Sequence, residues 1–342
     1  ARAAPPARRH ERAGMTRLTQ APPPAVPART FGTRWTLVGT VIGSGAVFLD
    51  GTIVNSALKH IGQDLPGSIV GVLEGQAYIV GGYLAVLAAL LILAGALSDH
   101  YGRRRVYAIG LIGFAATSAL CGLAPTLEWL VIVRLLQGAA GALLIPGSLA
   151  LITHAFEGVA RARAFGIWAA STAALTVLGP LVGGTIIDTV GWRIAFLVNV
   201  PLLDFALWAT VGHVQESRDQ ESTGRFDWLG ALVAALAVGG LAFGVIRGQA
   251  NEWQDAVAWI AIAVGVVALV AFPILMARRP HPLVPLELFR SRAFASINIA
   301  TFFAYGGPSV TFFYPDVLPP GRLRSPPRAA GPPARPTGAP PG

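Results

Sequence analysis

Two residues stand where charge is unfavourable. Asp50 and Arg134 each lie deep within a long apolar run, well inside a bilayer if those runs span one. A charge at that depth costs at least about 2.5–3.5 kcal/mol on insertion scales, so it faces a cavity or a partner. A carboxyl group withdrawn from water holds a proton more readily, because low dielectric penalises the anion, and so it can carry one. An arginine stays charged and can favour release of that proton. The other reading of Asp50 and Arg134 is a structural ion pair or a snorkelling side chain. Asp204 is a second acid in an apolar run. It either adds to a cation-binding cavity or lies nearer an interface. Asn55, Gln76, Tyr78 and Gln137 are candidates for a substrate cavity, with plain packing as the alternative.

Such residues need a membrane-spanning frame, and the composition supplies one. Of 342 residues, 54% are hydrophobic and only 13% charged, with a mean hydropathy of +0.59. Soluble domains carry about 25% charged residues, and a water-soluble fold of this length could not cover so much apolar surface. The formal net charge is +9, but the arginines sit between apolar runs, so topology explains them better than nucleic acid does. Cys121 is the one cysteine, which excludes an internal disulfide and a cysteine-based zinc site. The six histidines are scattered, so no metal site or cofactor is expected. No Gly-x4-Gly-Lys-Ser/Thr loop is present, which argues against self-contained ATP-driven transport; the apolar composition is what makes a soluble enzyme untenable.

A spanning helix needs about 20 mainly apolar residues. Candidate spans are Trp35–Leu58, Leu73–Leu97, Val106–Leu123, Leu127–Ile152, Ala164–Ile187, Ile194–Gly212, Trp228–Ile246 and Ala256–Met276, with a ninth run from Phe294 to Tyr314. Alternate connections hold eleven basic residues (Arg103, Arg104, Arg105, Arg161, Arg163, Arg218, Arg225, Arg278, Arg279, Arg290, Arg292), against Lys59, Arg193 and Arg247 on the others. The positive-inside rule then places the N-terminus in the cytoplasm of a multi-pass cell-membrane protein.

The chain also repeats itself. Gly95-x3-Asp99-x2-Gly102-x-Arg104 follows the second span, and Gly184-x3-Asp188-x2-Gly191-x-Arg193 follows the fifth. Three helices separate the two turns, so the repeats have inverted topology, as in many secondary transporters. Gly102 permits a tight turn. Asp99 can pair with Arg103 or Arg104 and latch helix ends together. The simpler reading of this turn is a positively charged cytoplasmic anchor.

The stretch Gly95–Arg105 resembles the loop signature of the major facilitator superfamily, with His100 where arginine is usual. Three further stretches resemble its drug/proton antiporters with fourteen helices. They are Leu49-Asp50-Gly-Thr52-Ile-Val-Asn55-Ser-Ala57-Leu58, Arg134-Leu-Leu-Gln137-Gly138, and Gly179-Pro180-Leu-Val-Gly183-Gly184. Lys59 and Leu175 depart from that pattern. Gly191-Trp192-Arg193 with Asn199-Val-Pro201 resembles the start of the sixth helix, and Phe226-Asp227-Trp228-Leu-Gly230 the start of an extra central helix pair. The resemblance implies proton coupling at Asp50 and Arg134, and a conformational latch at Gly95, Asp99, Gly102, Arg103 and Arg104. It also implies an antiporter motif at Gly179, Pro180, Gly183 and Gly184, which either shapes the cavity or simply packs.

The expected fold is thus an all-α integral membrane protein, a six-helix bundle of inverted three-helix repeats at 34–213. A disordered arm, 1–33, precedes it. A loop and extra helix pair, 214–277, and a loop with the start of a ninth helix, 278–314, follow. Residues 315–342 hold ten prolines and read as a non-native tail, as a frameshift near Phe313 would give. The expected function is antiport of drugs or amphipathic organic compounds, driven by a proton gradient, in a lipid bilayer and without nucleic acid. Alternatives are export of an endogenous metabolite, or a truncated product that does not transport.

Overall fold

The computed structural model describes residues 30–66, 71–218, 226–279 and 282–313. These residues are helical and include no strand. In order the helices are α1 (Thr30–Asp64), α2 (Val72–Ala77), α3 (Tyr83–Tyr101), α4 (Arg103–Gly122), α5 (Leu127–Ala155), α6 (Gly158–Val190), α7 (Trp192–Leu197), α8 (Asn199–His213), α9 (Trp228–Ala250), α10 (Ala256–Arg278) and α11 (Arg292–Phe313). A π-helical turn, Tyr78–Gly82, joins α2 to α3, so the second span is a single rod with one widened turn. The pair α7 and α8 makes the sixth span.

Eight of these elements, Gly32–Asp64 through Ala256–Arg278, are long and apolar enough to cross a membrane, and they coincide with the eight spans expected from the sequence. The helices overrun those apolar runs. α1 extends to Thr30 and Asp64, and α6 to Gly158 and Val190. Hydropathy marks only contact with hydrocarbon, whereas intrahelical hydrogen bonding continues until a cap or a turn stops it. Side-chain caps supply three of the starts: Thr126 accepts from the Trp129 amide, Asp227 from the Gly230 amide and Asp255 from the Val257 amide. The Val257 amide, with the Arg247 guanidinium, also holds the partly buried Asp255 carboxyl below its usual range. Residues 314–342, with the proline-rich tail, and most of the N-terminal arm lie outside the described residues.

α1 packs on α5, α6 and α8. α5 also packs on α3 and α4, and the α9–α10 hairpin leans on α3. The inverted repeat is visible as chemistry at both ends of the bundle. Gly102 (φ +112°) and Gly191 (φ +98°) make equivalent elbows in the backbone region that disfavours a side chain. Two residues past each elbow an arginine reaches a carbonyl just beyond the third helix of the opposite repeat. Arg104 donates to the Val214 carbonyl at 3.1 Å, and Arg193 to the Ala124 carbonyl at 3.4 Å. Each clasp has an acid. Glu216 accepts from the Arg104 and Arg105 amides, and Asp64 accepts from the Trp192 indole and lies 3.8 Å from Arg193.

Candidate functional site

Asp50 and Arg134, 84 residues apart in sequence, meet in the middle of this bundle. Both are almost wholly buried, and Arg134 Nη1 lies 2.5 Å from Asp50 Oδ2. The same nitrogen donates to Gln137 Oε1 at 2.7 Å, and Arg134 Nε donates to the Ile79 carbonyl at 3.1 Å. The Tyr83 ring lies 4.0 Å from the guanidinium carbon, adding a cation–π contact. The other carboxylate oxygen, Oδ1, accepts from Asn199 Nδ2 at 3.1 Å and from Gln137 Nε2 at 3.3 Å. Both amides also donate to Ser118 Oγ, which donates to the Phe196 carbonyl. Spans one, three, four and six thereby share one polar knot, and the second span contributes Ile79 and Tyr83.

Its geometry is that of a compensated buried charge. The ion pair carries no net charge, and Arg134 Nε and Nη1 both have acceptors, as a charge outside water requires. Within the knot, Asn199 Oδ1 is buried without a hydrogen-bond partner. Loss of the charge on either partner would cancel the attraction between them and leave the other uncompensated. Ser118 and Asn199 were not singled out as site residues. Asn199 lay in a quoted motif, but Ser118 carries no signal, being one hydroxyl in an apolar run.

Of the cavity candidates, Gln137 is in the knot. The others are not brought to it. Asn55 is exposed and bonds the carbonyl of Gly51. Gln76 donates to the Leu58 carbonyl at 2.9 Å. Tyr78 stacks on Phe243, 6.2 Å away, and its hydroxyl accepts from Arg247. Asp204 is exposed on a face with Leu202, Phe205 and Trp208, so it does not share a cavity with Gln137.

At the arginine-rich end, Asp99 pairs with Arg103 at 2.9 Å, joining α3 to α4. Glu216, not expected from the sequence, lies against the same turn: a Cβ on Gly102 would come within 2.8 Å of its carboxylate. Gly95 faces Pro146 of α5, and its Cβ would fit at 3.8 Å. In α6, Gly179 and Gly183 press against Thr52 and Ile53 of α1, one turn from Asp50, whereas Gly184 faces open space and Pro180 is exposed.

An eight-span bundle of inverted repeats around a buried ion pair narrows the fold, and sequence comparison decides it. The description of the Major Facilitator Superfamily matches residues 40–319. The chain belongs to the Major Facilitator Superfamily. It is 38% identical over 277 residues to the multidrug resistance protein Stp of Mycobacterium tuberculosis, covering 80% of this chain and 50% of that protein. It is 37% identical over 261 residues to the tetracenomycin C resistance and export protein of Streptomyces glaucescens, covering 76% and 48%. The chain thus spans about half the length of the curated relatives it matches. A solved peptide transporter, POT in complex with sulfate, shares the fold with a TM-score of 0.52 at 16% identity, over 73% of this chain and 53% of that one. As a superfamily member the chain is a multi-pass membrane protein of transporter rather than enzyme type.

Proposed function

We propose that these helices belong to a fourteen-helix, proton-coupled antiporter that exports drugs or other amphipathic organic compounds from the cell, and that they include its N-terminal half. Asp50 carries the proton and Arg134 sets when it leaves. The observation that carries this reading is the buried knot: an acid and an arginine closed off from water, with amide and hydroxyl neighbours able to re-pair. The resistance and export names of its relatives support the direction and the substrate class. The proton gradient is the energy source, and no cofactor enters the scheme. Residues 34–213 are the half itself, and α9–α10 is an insertion after it.

The test uses a transporter complete with its second half, in everted membrane vesicles. Asp50→Asn keeps the side-chain shape and loses the titration, so the protein should still insert while proton-driven dye efflux falls to background. Normal pH-dependent efflux by Asp50→Asn would remove the proton from this site.

Orientation has its own check. Reporters fused after Arg105 and Arg163 should read cytoplasmic, and those after Gln63 and Asn251 external. A cytoplasmic signal at Gln63 would invert the topology.

A further inference from the structure

The second span carries the one π-helical turn among the described residues, and that turn has two faces. A π turn inserts an extra residue and disturbs the regular carbonyl–amide ladder, which is why such turns recur at functional sites. Here Ile79 and Gly82 face α5. The Ile79 carbonyl accepts from Arg134 Nε at 3.1 Å, and a Cβ on Gly82 would meet Leu135 at 2.9 Å. Tyr78 and Gly81 face α9. The Tyr78 ring stacks on Phe243, and a Cβ on Gly81 would meet Ile246 at 3.0 Å. The turn is wedged between the helix that carries Arg134 and the inserted hairpin.

The hairpin grips it with a charge cluster. Arg247 of α9 donates to the Tyr78 hydroxyl at 3.3 Å, pairs with Asp255 at the start of α10, and lies 3.8 Å from Glu74 at the start of the second span. Three acceptors on two elements therefore fix one guanidinium, as its planar fork allows.

We propose that the α9–α10 hairpin is not a spacer but a positioning element. Through the Arg247–Tyr78 grip it sets the register of the π turn, and so presents the Ile79 carbonyl to Arg134. Tyr78 and Arg247 are then positioning residues for the Asp50–Arg134 pair, although neither touches it. The inference concerns the geometry of the knot and holds whatever the knot transports.

The chain carries its own reporter. Cys121 is the single cysteine, is buried, and donates to Gln137 Oε1 at 3.5 Å, so opening of the knot frees its thiol. The experiment follows the rate at which N-ethylmaleimide alkylates Cys121 in membranes holding these 342 residues. Arg247→Ala should raise the rate at least about fivefold, the scale on which a lost charged hydrogen bond shifts a local opening equilibrium. Tyr78→Phe, which keeps the ring and loses only the acceptor, should raise it less, and Arg247→Lys should fall between Arg247→Ala and the parent. Arg163→Ala, an exposed side chain at the other end of the bundle, should leave it unchanged. Gln137→Ala opens the knot directly, so adding Arg247→Ala to it should give no further increase, whereas general loosening would multiply the two effects. A parent-like rate in Arg247→Ala, or multiplicative effects, would overturn the proposal. If Arg247→Ala does not accumulate in membranes, Tyr78→Phe decides the matter, and an unchanged rate there overturns it equally.

Discussion

Arg134→Ala is expected to be the most damaging single substitution in the chain. It leaves the Asp50 carboxylate at 1% exposure without its counter-ion and opens a cavity beside Tyr83. It also takes the Arg134 donor from the Ile79 carbonyl and leaves Gln137 Oε1 with only the weak Cys121 thiol donor. Breaking a buried pair by removing one partner costs roughly 3–5 kcal/mol, because an uncompensated charge stays behind. Replacing both partners by apolar residues of similar volume is often nearly neutral. Hence Asp50→Leu with Arg134→Met should recover most of the stability that Arg134→Ala loses, yet recover no transport. Arg134→Lys should lie between the two, since it keeps the charge but cannot reach Asp50, Gln137 and Ile79 at once. The check is the fraction of detergent-solubilised protein that stays monodisperse after heating. An Arg134→Ala protein as heat-resistant as the parent would mean that the pair is not the keystone drawn above.

The second large effect divides one motif. Gly179→Ala and Gly183→Ala are expected to destabilise the bundle, while Gly184→Ala should be silent. A Cβ on Gly179 would lie 1.9 Å from Thr52 Oγ1 and 2.9 Å from its Cβ, so turning the hydroxyl aside does not relieve the clash. A Cβ on Gly183 would stand 3.2 Å from the Cα of Ile53, which only a shift of α1 can relieve. Such overpacking costs typically about 1–3 kcal/mol, and close helix approach through small residues is the main source of cohesion in lipid. Nothing lies within 4 Å of the corresponding point on Gly184. Because Thr52 and Ile53 are neighbours of Asp50 in α1, loss of transport should accompany loss of stability. Equal tolerance at all three glycines, measured by the same heating assay, would show that the α1–α6 contact is looser than drawn here.

The eight spans were legible because lipid imposes a single requirement, a run of about 20 apolar residues, that hydropathy reads directly. The inverted repeat was legible because its elbow glycines and arginines recur at equal spacing. Asp50 and Arg134 could be seen as anomalies, but that they answer one another could not. Pairing across 84 residues depends on spans one and four lying side by side, which no local pattern encodes. For the same reason Glu216 and Asp64 passed unnoticed as clasp acids, since each is an ordinary charge at a helix end until its partner arrives. Asp204 shows the converse: it too is an acid in an apolar run, yet the phase of its helix turns it outward. The π turn left only Gly81-Gly82 as a trace, too common a dipeptide in membrane helices to signal a change of pitch.

The clasps also have a mechanical consequence. A plate pinned on both edges cannot shear. With Arg104 holding Val214 at one rim and Arg193 holding Ala124 at the other, each three-helix unit is bolted to its inverted counterpart above and below the ion pair. Flexing between the two units would have to break a bolt. The bundle therefore behaves as a stiff lever rather than as two hinged leaves, and large displacements are left to its outer faces, where it slides or tilts against whatever it abuts.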